Sequence, residues 1–294
     1  MRLNNVAVGL QKLNNMKKIM MLAIGAALLT SAVMGQINMP APSPTQTIQQ
    51  EFGMGKVELT YSRPSIKGRP VFEANSPIGP LDKPWRTGAN AATKITFSDE
   101  VMIGGQTLKA GSYVIYSVPG MPEWQVVFSK GKAYPGAEGF SASDDVVKIK
   151  ATAQKLPSKV ETFTMQFANV MPESCDLQLM WGTTSVNIPI KTDIKSKLRK
   201  QVETALGPEN KPYFQAATFY YEFDKNLPKA LENVNKAVEQ NKTAYWMFLL
   251  KAKIQKDMGD VAGAKATAAK VTELAKAANN DDYVKQADDL FKKS

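Results

Sequence analysis

The spacing of apolar residues changes once along this chain, near residue 193, and that change dictates two architectures in one polypeptide. Before it the period is two. Val57, Leu59 and Tyr61 alternate with Lys56, Glu58 and Thr60, and residues 93–97 alternate again. Successive side chains of a strand point to opposite faces, so this pattern makes half-buried strands. Val101-Met102-Ile103 and Gln106-Thr107-Leu108 flank Gly104-Gly105, a two-residue hairpin signal. Residues 113–118 and 124–128 form another pair, joined by Pro119-Gly120-Met121-Pro122. Further strands are predicted at 146–151, 162–167, 176–181 and 185–190, the last two joined by a turn at Gly182-Thr183-Thr184. Many short strands with regular turn signals predict an all-β antiparallel sandwich-like domain, with an open barrel as the alternative.

After residue 193 the period lengthens. Ile194, Leu198, Val202 and Leu206 recur every fourth residue, with Asp193 as N-cap and Gly207-Pro208 as a stop. From Lys211 the chain reads as helical hairpins. Ala230 and Ala264 stand 34 residues apart, and small residues there let helices approach closely. Phe214, Tyr221 and Phe248 are their expected partners, and residues 282–293 form a closing helix. Residues 211–294 resemble TPR arrays, although Gln255 stands in the second unit where Tyr221 stands in the first. The resemblance implies a face that holds an extended peptide or a protein partner. Two units are few for a free-standing array. The helices are therefore expected to lean on the β domain or on another chain, and a plainer reading has them only brace the β domain.

The first residues read as a targeting signal. Lys17-Lys18 precede an apolar run over 19–33, and Val33-Met34-Gly35 offers a cleavage site after Gly35, with Met16 as the natural start. The domains expected are a signal peptide at 1–35, an extended leader at 36–50 carrying Pro40, Pro42 and Pro44, a β domain at 51–192 and a helical domain at 193–294. The product is expected in the periplasm or on the extracellular side of the envelope, with no transmembrane segment in the mature chain. Cleavage removes four basic residues, which lowers the net charge from +10 to +6. From Ile194 onward there are 18 basic and 13 acidic residues, so most of the excess lies on the helices. No basic run is dense enough to suggest nucleic acid as a partner.

The chain contains no histidine. That removes Ser-His-Asp and Cys-His catalysis, and it removes most zinc sites. The sequence has no phosphate loop, dinucleotide fingerprint or calcium loop, so no cofactor and no metal are expected. Cys175 is the lone cysteine; within an apolar strand pattern it reads as a small buried hydrophobe.

One constellation is distinctive. It runs Tyr61-Ser62-Arg63-Pro64-Ser65-Ile66-Lys67-Gly68-Arg69, then Pro84-Trp85-Arg86-Thr87-Gly88-Ala89-Asn90, then Ala110-Gly111-Ser112-Tyr113, and later Glu123-Trp124. Together these segments resemble the domain-of-unknown-function family 2911 over about residues 40–192. That resemblance implies an exported bacterial protein and no particular activity. Read physically, Arg63, Lys67, Arg69 and Arg86 gather four cations, Trp85 offers an apolar ring, and Tyr61, Thr87, Asn90 and Glu123 offer polar handles. An aromatic platform beside arginine suits a glycan, a peptide or an anionic ligand. The plainer reading makes Trp85 a core plug, with Arg86 and Asn90 satisfying loop carbonyls. The function expected is non-catalytic binding or scaffolding. One alternative is a glycan-acting hydrolase or lyase using carboxylates or tyrosine, for which Asp82 and Glu123 are the nearby acids. Another is a structural assembly subunit.

Overall fold

The computed structural model describes residues 39–132, 140–207 and 211–292. The expected signal segment, its cleavage site and Met16 lie outside the described residues.

Nine strands form one antiparallel sheet: β1 (Thr45–Phe52), β2 (Gly55–Ser62), β3 (Thr93–Phe97), β4 (Val101–Ile103), β5 (Gln106–Leu108), β6 (Gly111–Val118), β7 (Glu123–Ser129), β8 (Asp145–Met171) and β9 (Ser174–Lys191). Their order is β1-β2-β3-β6-β7-β8-β9-β4-β5. The last six residues of the segment expected as a leader are therefore strand: β1 pairs with β2 along its whole length, from Thr45↔Ser62 to Phe52↔Gly55. Its sequence is almost wholly polar because it meets the core only at Phe52 and at the partly buried Ile48. At Gly104 and Gly105 φ is +58° and +76°, as the predicted two-residue turn requires.

The two long strands differ from expectation. Segments predicted as four short strands fuse into β8 and β9. Gly182-Thr183-Thr184 is no turn. Gly182 pairs with Val160 inside the ladder at a register shift, where its φ of +60° marks a bulge. The chain reverses instead between Met171 and Ser174.

One apolar cluster gathers residues from all nine strands. Its aromatic centre is Trp85, Trp124, Trp181, Phe72 and Phe163, which meet mainly edge to face. Strands distant in the order touch across it: Tyr61 of β2 meets Phe163 of β8 with ring centroids 5.8 Å apart. Cys175 is buried, and burial, with Asp176 adding to it, pushes its thiol up to about 11.

Six helices follow among the described residues: α1 (Lys195–Ala205), α2 (Tyr213–Glu222), α3 (Leu227–Gln240), α4 (Tyr245–Asp257), α5 (Val261–Ala277) and α6 (Asp281–Asp289). Asp193 caps α1: its carboxylate accepts from Ser196 N at 3.2 Å and from Ser196 Oγ at 2.8 Å. Ala230 on α3 and Ala264 on α5 are both fully buried. The helices have two apolar clusters of their own, one spanning α1 to α4 and one spanning α4 to α6, and neither contains a strand residue. Ties to the strands gather near α1, where Lys197 pairs with Asp99 at 2.6 Å and Thr192 Oγ1 donates to the Glu100 carbonyl at 3.2 Å. Among the described residues no helix is long and apolar enough to cross a membrane.

Candidate functional site

The residues of the distinctive constellation divide into those that hold the sheet closed and those that border a cleft. Tyr61 belongs to the first group. Its hydroxyl accepts from Met165 N at 2.9 Å, with Met165 O and Gln46 Oε1 as acceptors at 3.0 and 2.9 Å. Burial raises its pKa, while the bond to Met165 and the charge of Arg63 lower it. Arg63 donates from Nε to Phe163 O at 3.2 Å and from Nη2 to Thr164 Oγ1 at 2.9 Å. Arg69 folds back on the carbonyls of Ile66 and Ser65. Arg63, which is half-buried, and Arg69, which is exposed, thus spend their donors on the chain's own carbonyls and on Thr164. Lys67 is exposed at φ +47°, and its N–H is held by Glu161 Oε1 at 2.7 Å.

Trp85 is 6% exposed and lies within the core. Its indole stacks on Trp181 at 5.7 Å with planes 12° apart, and its Nε1 donates to Gly88 O at 3.0 Å. It is therefore a wall of the cleft and no open platform. Gly88 cannot be replaced without strain: its φ is +150°, and a Cβ there would stand 3.0 Å from Ser62 O. Thr87 is fully buried at φ +54°, a rare conformation for a β-branched residue, and bonds Ser117 Oγ at 3.0 Å. Asn90, at φ +56°, donates to Ser62 Oγ at 3.3 Å. Phe72 also has positive φ, at +57°. Two bulky residues in this region flank the cleft, and such strained backbone costs about 1–3 kcal/mol at each position.

Arg86 is the exception among the cations. It borders a cleft of about 190 Å³ whose walls come from Pro64, Ile78, Pro80, Trp85 and Trp181. Its Nε is buried and has no hydrogen-bond partner among the described residues. A buried guanidinium donor without an acceptor costs about 1–3 kcal/mol or more, so the arrangement suits an incoming anion. Glu123 is not brought here: it is paired with Lys150 at 2.9 Å on the sheet surface. Asp82 does not line the cleft either; its N–H donates to Pro119 O at 2.7 Å. No carboxylate lines the cleft among the described residues.

The family described as proteins of unknown function, DUF2911, matches residues 43–190. The chain belongs to that family. The matched span ends one residue before β9 does and contains the whole aromatic centre, so in this DUF2911 chain the six helices lie beyond the family's segment. No curated protein and no solved structure matches the chain. The DUF2911 motifs acquire physical roles here: Tyr61 and Arg63 clamp β2 to β8, and Gly88 permits the turn that sets Arg86 beside the stacked tryptophans. Trp181 and the wall residues Ile78 and Pro80 escaped sequence reasoning. Trp181 reads there as an ordinary strand residue, and only the proline density of residues 77–84 hints at a wall.

Proposed function

We propose that this is an exported, non-catalytic binding protein of the cell envelope, whose strand domain takes a small anionic group in the Arg86 cleft. The observation that carries this reading is the buried, unpartnered Nε of Arg86 beside Trp85 and Trp181. The cleft holds about 190 Å³, below the roughly 300–1,000 Å³ of ordinary ligand pockets. It therefore suits one ring or one chain terminus rather than an oligosaccharide. Proline and tryptophan walls favour an apolar body, and the guanidinium favours a carboxylate head. Among the described residues no carboxylate lines the cleft, which favours binding over glycan hydrolysis, since that needs two acids across the scissile bond. The helices, with Ala230 and Ala264 at matching buried positions, read as a TPR-like unit for a protein partner.

The test titrates the full chain with galacturonate and with an N-acetyl dipeptide bearing a free C-terminus, by calorimetry, beside Arg86→Met. Saturable binding of one probe, weakened tenfold or more in the variant, is expected. Equal binding by both proteins, or none by either, would sink the assignment.

A further inference from the structure

A second cleft, separate from Arg86, lies where β8 and β9 part. Their pairing stops at Ala153↔Val186, and β9 pairs next with β4, at Ile190 and Lys191. Residues 187–189 thus lie between two pairings. The β4–β5 hairpin fills part of the fork. Gln106 Nε2 donates to Lys148 O at 2.9 Å, and the Gly104 turn sits so close that a Cβ there would collide with Ile149 Cγ2. What remains is a cleft of about 390 Å³, within the range of ligand-sized pockets.

Its chemistry is mixed. Met102, Ile149 and Pro189 are apolar walls, and Lys150 and Lys191 stand at it. Lys150 is paired with Glu123, whereas Lys191 has no ion pair among the described residues. Asn187, which also lines the cleft, has a buried Oδ1 with no hydrogen-bond partner, whereas Ser185, two residues back, lies within the β8–β9 pairing and outside the lining. An amide oxygen left unmet in the fork calls for a ligand that offers an N–H or O–H donor. Among the described residues no aromatic ring lines it to stack on a sugar. An extended backbone presents N–H groups at strand spacing, and a carboxylate side chain complements Lys191.

We propose that the fork between β8 and β9 is a docking site for an extended acidic peptide segment of another protein. A backbone N–H of that segment meets the Asn187 oxygen, and its carboxylate meets Lys191.

The probe is a fluorescein-labelled pentapeptide of alternating Val and Glu, added to the full chain and followed by anisotropy. Its controls are a Val/Lys pentapeptide and the Val/Glu peptide with N-methylated backbone. Saturable binding of the Val/Glu peptide is expected. N-methylation and Asn187→Leu should each weaken it about tenfold, and Lys191→Glu should weaken it several-fold while improving the Val/Lys peptide. Circular dichroism checks that the variants are folded, and the N-methyl comparison needs no variant. Absence of saturation at millimolar peptide, or equal binding of the N-methylated peptide, overturns the proposal. Loss of binding in Arg86→Met with Asn187→Leu unaffected would also overturn it, by placing the peptide in the other cleft.

Discussion

Replacing Arg86 by methionine separates a ligand-binding arginine from a structural one. Arginines that hold a fold together, as Arg63 does through Phe163 O and Thr164 Oγ1, cost stability when removed. Arg86 has a buried Nε without a partner. Leaving such a donor unmet costs about 1–3 kcal/mol in the folded state, and methionine abolishes that cost. Methionine also keeps an unbranched stem against Trp85, Trp181 and the prolines, so the apolar contact of the arginine methylenes is largely retained. The expected result is a ligand-free domain more stable by about 1 kcal/mol. With a urea slope of about 2 kcal/mol per molar, that raises the midpoint by about 0.5 M. Tryptophan fluorescence reports it, because Trp85, Trp124 and Trp181 all lie in the strand core and the fourth tryptophan, Trp246, is on α4. The helices have separate cores, so their transition is followed independently by circular dichroism. A midpoint lowered by about 0.5 M or more would refute the reasoning, since Arg86 would then hold structure. A raised midpoint with lost binding would place Arg86 among residues whose function opposes stability.

Three other outcomes follow from the same contacts. Tyr61→Phe removes only an oxygen but leaves Met165 N–H without its acceptor; a loss of about 1–3 kcal/mol by urea titration is expected, and an unchanged midpoint would contradict it. Asp193→Ala removes the cap of α1 and should cost the helical transition about 1 kcal/mol, leaving the fluorescence transition in place. Hydrogen bonds from Ser196 lower the Asp193 pKa, so this contribution is present above the ordinary carboxylate range and fades as pH falls through the lowered value. Burial raises the Cys175 thiol to about 11, so the folded state prefers the protonated form. Its contribution is complete below the unfolded thiol value and is lost between roughly pH 9 and 11. Cys175→Ala should flatten the alkaline loss of stability in that window, and native protein at pH 8 should resist alkylation until urea opens it.

The sequence carried the architecture further than the site, for a physical reason. Strand and helix periods are local, so the switch near residue 193, the Gly104-Gly105 turn and the Asp193 cap were readable from neighbours alone. Gly182 shows where local reading breaks down, because a glycine with positive φ serves a turn or a bulge equally well. Only its pairing with Val160 decides between them. Strand β1 was missed because its partly buried face is too polar to show the alternation. Arg63, Arg69 and Arg86 are likewise alike in sequence, and what distinguishes them is whether a carbonyl, distant for Arg63 and local for Arg69, reaches each guanidinium. Phe163 O lies 100 residues from Arg63 and meets it, whereas nothing among the described residues meets the Nε of Arg86. The same holds for Trp85, where a tryptophan in a proline-rich loop suits a platform or a plug. Its stacking partner Trp181 comes from β9, nearly a hundred residues on. The constellation therefore joins residues with different structural roles, because which cation lacks a partner is decided by the fold and not by its neighbours in sequence.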